Sequence, residues 1–196
     1  MLAALIVACD RQSVADQAAD GFRIVTLAEG LEHPWGMAFL PDGRILITER
    51  PGRLRLFANG VLHPEPIAGL PQIAQHGQGG LLDVAVHPDF ARNGLVYLAF
   101  ASRDADGIGT SIGRARLEGH HLVEGRKLFD LLPRSNTGRH FGSRLVFDRN
   151  GDLFITLGDR GERDRAQDLG DHAGSVIRIT GDGLVPNRIA IHYLKS

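Results

Sequence analysis

Two segments of this chain are built to one plan, and that plan limits what the chain can fold into. Phe39-Leu-Pro-Asp-Gly-Arg-Ile-Leu-Ile-Thr48 and Phe147-Asp-Arg-Asn-Gly-Asp-Leu-Phe-Ile-Thr156 each set an Asp-Gly or Asn-Gly pair between strand-like apolar runs. Such pairs supply the positive φ that tight hairpin turns require, so each segment reads as two antiparallel strands joined at the pair. Val84-Ala-Val-His-Pro-Asp-Phe-Ala-Arg-Asn-Gly-Leu-Val-Tyr-Leu98 is a third copy with a longer connection ending in Asn93-Gly94. Aligning Phe39, Val86 and Phe147 gives spacings of 47 (86 minus 39) and 61 (147 minus 86) residues. Those spacings are near the period of β-propeller blades, with an insertion in the second interval.

Each copy continues in the same way. Gly52-Arg-Leu-Arg-Leu-Phe57, Ile112-Gly-Arg-Ala-Arg-Leu117 and Gly174-Ser-Val-Ile-Arg-Ile179 alternate side chains as strands with one wet face do. Each copy is therefore expected to form one four-stranded sheet. No stretch sustains a 3.6-residue apolar period, and Gln12 to Ala19 is the one helix-compatible piece beyond the N-terminal run. The 25 glycines and 9 prolines suit frequent sharp turns. The expected fold is all-β, a partial β-propeller over residues 21–187. About three blades leave two open faces, so the chain is expected to be a truncated copy or one completed as a homodimer of half-rings. The last nine residues, RIAIHYLKS, form an atypical tail expected from truncation or frameshift.

With 22 Lys and Arg against 23 Asp and Glu, the formal net charge is −1, which gives no field to attract a polyanion, and nucleic acid is not an expected partner. A single cysteine excludes an internal disulfide and a cysteine-built metal site. That cysteine closes Met1-Leu-Ala-Ala-Leu-Ile-Val-Ala-Cys9, an apolar run too short to span a bilayer. Ile6-Val7-Ala8-Cys9 resembles the lipobox of bacterial lipoproteins, although no Lys or Arg precedes the run as in a signal peptide. Residues 1–20 are expected to be an export or lipoprotein segment with a polar tether. Cys9 is the expected lipidation site, and the expected location is periplasmic or lipid-anchored in the cell envelope, with membrane contact through that anchor alone.

Familiar catalytic spacings are absent: the chain has no Gly-x-Ser-x-Gly, His-Glu-x-x-His, P-loop or Gly-x-Gly-x-x-Gly. What remains is polar residues at strand starts, where the loops at one end of a propeller converge on its axis. His140 opens the third copy in Gly138-Arg-His-Phe-Gly-Ser-Arg144, and Gln78 opens the second in His76-Gly-Gln-Gly-Gly-Leu-Leu82, at matching positions.

These segments carry a family resemblance. His33-Pro-Trp-Gly-Met-Ala-Phe39 with Pro41-Asp-Gly43, Gly77-Gln-Gly-Gly-Leu-Leu82 with His87-Pro-Asp-Phe90, His140-Phe-Gly-Ser-Arg-Leu145 with Leu157-Gly-Asp-Arg-Gly161, and Gly174-Ser-Val-Ile-Arg178 form an ordered series. The series resembles the soluble glucose/sorbosone dehydrogenases, quinoproteins whose domain is about twice this length. The resemblance implies a six-bladed propeller with pyrroloquinoline quinone (PQQ) over its axis, oxidising aldose sugars to lactones and passing electrons to an acceptor, with calcium activating the cofactor. His140 matches the family's base, Gln78 a residue lining the sugar and quinone pocket, and Asp159 and Arg160 the Gly-Asp-x-Gly turn. A carboxylate at Asp159 could hold the imidazole tautomer or a metal. Arg144 and Arg160 are among the scattered arginines that would face the three carboxylates of PQQ. In the glucose dehydrogenase branch an acidic residue precedes the base. Here it is Arg139, which points to the broader aldose sugar dehydrogenase branch.

The residue chemistry is compatible with that implication, since removing hydride from C1 of an aldose needs a base for the C1 hydroxyl proton, and imidazole, with its ordinary pKa near 6.5, suits neutral pH. Plainer readings stand beside it. Asp159 and Arg160 could be a turn ion pair. Asp148, Asn150, Asp152 and Asp159 imitate a calcium loop, but Leu153 stands where that loop requires Gly, so a hairpin turn is expected. Glu162-Arg-Asp-Arg165 reads as a solvated loop and His87-Pro-Asp-Phe90 as a structural turn. For the chain as a whole, the alternatives are a non-catalytic propeller binding module or degenerate remnant, and a calcium-dependent propeller lactonase.

Overall fold

The computed structural model describes residues 22–186. Cys9, the 1–20 segment with Gln12 to Ala19, and the 188–196 tail lie outside the described residues. Strands β1 (Pro34–Phe39), β2 (Ile45–Glu49), β3 (Arg53–Ala58) and β4 (Val61–Leu62) make a first antiparallel sheet in chain order. Strands β5 (Leu81–Val86), β6 (Leu95–Asp104), β7 (Gly107–Glu118) and β8 (His121–Asp130) make a second of the same plan. Strands β9 (Gly142–Phe147), β10 (Asp152–Leu157) and β11 (Val176–Thr180) make a third. Three successive up-and-down sheets are the blade architecture expected from the repeat.

The hairpins turn where the Gly pairs stand. Gly43 and Gly151 have φ of 86° and 84°, and each turn carries the same two backbone bonds, Leu40 with Arg44 and Gly43 in one, Asp148 with Asp152 and Gly151 in the other. Asp148 spends its carboxylate on the Asn150 and Asp152 amides, while Asp152 pairs with Arg178 at 2.6 Å, so this segment is a hairpin turn. The longer connection of the second copy contains one helical turn, α1 (Phe90–Asn93), closed by Gly94 at φ 64°.

The third sheet has three strands among the described residues, and β11 runs into a turn in which Gly183 N donates to Thr180 O and Thr180 N to Leu184 O, the bond pattern of the two hairpins above. One local expectation needs correction. The Glu162–Arg165 stretch is solvated at Glu162, Arg163 and Asp164 but is not an irregular loop, since a 3-10 turn covers Arg163–Gln167, and the Arg165 side chain folds inward to Asp171 at 2.7 Å and to the Pro133 carbonyl.

Burial explains the run Leu95-Val-Tyr-Leu-Ala-Phe-Ala101, whose interior is buried on both faces. Leu98 and Phe100 pack with Leu46 and Leu54 of the first sheet, while Tyr97 and Ala99 pack with Leu145, Leu153 and Ile177 of the third. The second sheet is thus sandwiched, whereas β3 and β11 keep an alternating pattern with one partly exposed face. Trp35, Met37 and Phe39 lie exposed on β1.

The registers reveal one further repeat. Pro34 pairs with Glu49 and Met37 with Ile47; Leu81 pairs with Phe100 and Val84 with Leu98; Gly142 pairs with Leu157 and Leu145 with Ile155. Each first strand therefore carries one extra residue at the same place, and Gly36, Asp83 and Arg144 are equivalent positions within it. A bulge of this kind bends its strand and re-aims the side chains beside it. The segments bearing Gln78 and His140 immediately precede two of these bulged strands.

Candidate active site

His140 stands at φ 51°, in the left-handed region that non-glycine residues rarely adopt. Several contacts hold it there. Its backbone N donates to Gln78 Oε1 at 2.8 Å, and its ring Nδ1 lies 2.7 Å from Asp159 Oδ1. Its own carbonyl abuts Gly158, where an added Cβ would come within 2.1 Å of the oxygen. Gly142 takes φ 72° at the start of β9, completing the sharp change of direction. Ser143 (φ 112°) and Arg160 (φ 59°) share the left-handed backbone around His140, and such conformations persist only where their surroundings over-determine them.

Asp159 Oδ1 also accepts the Gly161 amide at 2.7 Å. That amide first, and His140 second, hold the Asp159 carboxyl below its ordinary range. An ionised carboxylate against Nδ1 fixes the proton on that nitrogen and leaves Nε2 with its lone pair. The His140 side chain is 52% exposed, so Nε2 belongs to an open surface.

Gln78 reaches this site from the second sheet, and its own N donates to Gly138 O at 2.7 Å. The approach is close enough to demand glycine: at Gly77, φ 58°, a Cβ would sit 2.2 Å from Gly138 O. Arg50 of the first sheet donates to Gly77 O at 2.9 Å, which extends the chain of contacts through all three sheets. Gln78 and His140 do meet, but not from identical positions. Gln78 lies three residues before Leu81, whereas His140 lies two before the equivalent Gly142.

Arg144 sits on the bulge of β9, exposed, with Nη1 donating to Asp83 Oδ1 at 3.0 Å. Asp83 is buried and also accepts the Leu145 amide at 2.8 Å. Burial pushes its carboxyl up, against the lowering contributed by those two donors. The equivalent residue in the first sheet is Gly36, where a Cβ would come within 2.5 Å of Asp83 Oδ1. Neither Asp83 nor Arg50 is among the residues that the sequence motifs single out. Asp83 carries a signal, a lone carboxylate inside the apolar run Leu81–Val86, and Arg50 carries none.

Arg160 faces inward. It has no solvent exposure, and its guanidinium donates to the carbonyls of Arg139 and Thr137. The structure thus brings together His140, Gln78 and Asp159, places Arg144 on β9, four residues beyond His140, and turns Arg160 away from any ligand. Asp159 and Arg160 do not pair with each other, because Asp159 is taken by His140 and Gly161. Among the described residues no cluster of three or more His, Cys, Asp or Glu side chains could hold a metal ion. A cavity of about 460 Å³ lies elsewhere, between the 69–74 segment and the second sheet. It is floored by Leu98 and Phe100 and contains none of these residues.

A family model described as glucose/sorbosone dehydrogenase matches residues 31–191. The aldose sugar dehydrogenase YliI of Escherichia coli (strain K12) is 42% identical over 168 residues, covering 84% of this chain and 45% of that protein. A crystal structure of a glucose dehydrogenase superposes with a TM-score of 0.79 at 45% identity, over 83% of this chain and 48% of that one. The PQQ-bound form of aldose sugar dehydrogenase from Streptomyces coelicolor superposes with a TM-score of 0.72 at 28% identity, over 82% and 48% of the two chains. The chain spans about half the length of the curated relatives it matches.

Proposed function

The chain belongs to the glucose/sorbosone dehydrogenase family, and on that premise we propose that its His140 surface is the base-bearing part of a PQQ-dependent site oxidising the C1 hydroxyl of aldose sugars to lactones. The observation that carries this reading is the His140 ring itself. One nitrogen is held by a carboxylate, and the other is left basic on an open surface beside the Gln78 amide. In the proposed step Nε2 takes the C1 hydroxyl proton, and Asp159 stabilises the imidazolium that results. Because Asp159 already faces Nδ1 as an anion, the ring needs no reorientation when it becomes charged.

When bound, PQQ supplies the acceptor for the C1 hydride. The residues present suit such a group in part. Arg144 offers an exposed guanidinium whose Nη1 is engaged by Asp83, leaving further donors for a cofactor carboxylate. Gln78 keeps its amide NH2 group for a quinone or sugar oxygen, since Oε1 is used on His140. Arg160 does not suit it, being buried on carbonyls. For calcium, the described residues present no fitting cluster. An external electron acceptor, and export with Cys9 as the lipid attachment point, complete the proposal. The lipobox-like Ile6-Val7-Ala8-Cys9 supports the latter.

Titrating PQQ into the purified chain and following its absorbance tests this reading. Saturable binding, weakened in Arg144→Ala, is expected. A folded chain that leaves the PQQ spectrum unchanged at all concentrations would refute it.

A further inference from the structure

Arg160 is the largest fully buried side chain of the described residues, and no cofactor can reach it. A buried guanidinium is stable only if its charge and its donors are met. Here they are met almost wholly by one short segment. Nη1 donates to Arg139 O at 2.5 Å and Nη2 to Thr137 O at 2.6 Å. The guanidinium lies 3.5 Å from the centre of the Phe141 ring, a close cation–π contact. The backbone closes the circle, with Thr137 Oγ1 donating to Arg160 O at 2.6 Å and Arg160 N to His140 O at 3.3 Å. Residues 137, 139, 140 and 141 are thus all gripped by one arginine, and His140 lies between the gripped positions.

Phe141 is fixed in turn. Its carbonyl accepts from Thr110 Oγ1 at 2.7 Å, and its ring packs on Gly79, where a Cβ would come within 2.5 Å. The segment carrying His140 is therefore held between Arg160 on one side and the second sheet on the other. Burial, with Arg165 adding to it, lowers the Arg160 guanidinium to about 10, which leaves it charged at neutral pH. Its Nε has no partner, so the arrangement satisfies the two carbonyls at the expense of one donor.

We propose that Arg160 is a positioning residue, which clamps residues 137–141 so that His140 keeps its left-handed backbone and its ring stays against Asp159. This rests on the reading of His140 as the base. It replaces the role that the family motif implied for Arg160, from contact with a cofactor to support of the group that does the chemistry. The same side chain explains how His140 tolerates φ 51° without a glycine.

The test uses the whole chain with ¹⁵N-labelled histidine. A long-range ¹H–¹⁵N correlation reads which ring nitrogen of His140 carries the proton, and His140→Gln identifies the signal among the nine histidines. Wild type is expected in the Nδ1–H form that Asp159 imposes. In Arg160→Met the signal moves toward the Nε2–H form preferred by free imidazole, and in Arg160→Lys it moves part of the way, since an ammonium cannot span both carbonyls as the fork does. Thr137→Val, which removes one strap without burying an unpaired charge, gives a smaller movement in the same direction. If Arg160→Met does not fold, the lysine and valine variants decide by the same criterion. Folded variants whose His140 tautomer matches wild type would overturn the proposal. With PQQ and an aldose, kcat falls on the order of 100-fold in Arg160→Lys, with sugar KM held within about twofold. Loss of all turnover in wild type would count against the proposed function and leave the tautomer to judge Arg160.

Discussion

Replacing Gly77 by alanine tests the contact on which the candidate site depends. Gly77 has φ 58°, and a Cβ there would lie 2.2 Å from Gly138 O and 2.9 Å from Gly138 Cα. Two effects follow. A non-glycine residue in the left-handed region costs roughly 1–2 kcal/mol. The clash is with backbone, so the 76–80 loop must move away from residues 138–140, which breaks the Gln78 N–Gly138 O and His140 N–Gln78 Oε1 bonds. At about 1 kcal/mol each, their loss adds roughly 2 kcal/mol. Gly119 is the natural control, since it has φ 56° and nothing within 4 Å of its added Cβ, so Gly119→Ala pays the conformational term alone. The difference of about 2 kcal/mol corresponds to roughly 4–8 °C in Tm for a chain of this size. Thermal unfolding of the two variants in parallel, with hydrogen exchange at the His140 amide, measures it. Equal Tm values with His140 protection unchanged in Gly77→Ala would refute the argument that these two loops are locked together.

The Asp159 carboxyl is held below its ordinary 3.8, so its ionised form stabilises the fold above that value, and this contribution is lost as pH falls through the lower folded value. Wild type should therefore lose Tm more steeply than Asp159→Asn on acidification below 3.8; parallel slopes would contradict the pairing. Thr48 and Thr156 are equivalent residues on β2 and β10, and each hydroxyl accepts a bulge amide, from Gly36 and Arg144 respectively. Only Thr48 is buried, and it also donates to Leu82 O. Thr48→Val should cost about 1–3 kcal/mol in denaturant unfolding, and Thr156→Val under about 1 kcal/mol; the reverse order would show that burial does not set the difference.

The parts of the fold legible in the sequence are those set by local chemistry. Asp42-Gly43 and Asn150-Gly151 demanded hairpins, and the alignment of Phe39, Val86 and Phe147 coincides with their equivalence in the strand registers. The bulge was not legible, because it is a property of pairing between strands, and Gly36, Asp83 and Arg144 share no chemistry that would mark them as one position. Gln78 and His140 are marked in the sequence as polar residues at matching strand starts, but their hydrogen bond and their offset by one residue depend on how each loop enters its bulge. Asp159 beside His140 follows from the family motif. Arg160 shows the limit of such reasoning, since the motif places the residue but not the direction of its side chain. A long cation next to the Asp159 carboxylate can equally face a ligand or turn under the loop, and the aromatic ring of Phe141 and the carbonyls of Thr137 and Arg139 draw it under. The inward turn of Arg165 has the same character, because its partner Asp171 is brought near by the 3-10 turn rather than by helical spacing.

The central claim is that His140 is the base of an aldose-oxidising site, and the direct measurement is reduction of a redox dye by the PQQ-loaded chain on adding an aldose, with wild type and His140→Ala side by side. The account predicts sugar-dependent reduction in wild type, and a fall of roughly 10²–10⁴-fold in His140→Ala, with PQQ affinity retained. Turnover unchanged in the variant, or PQQ bound by wild type with no response to any aldose, would contradict it.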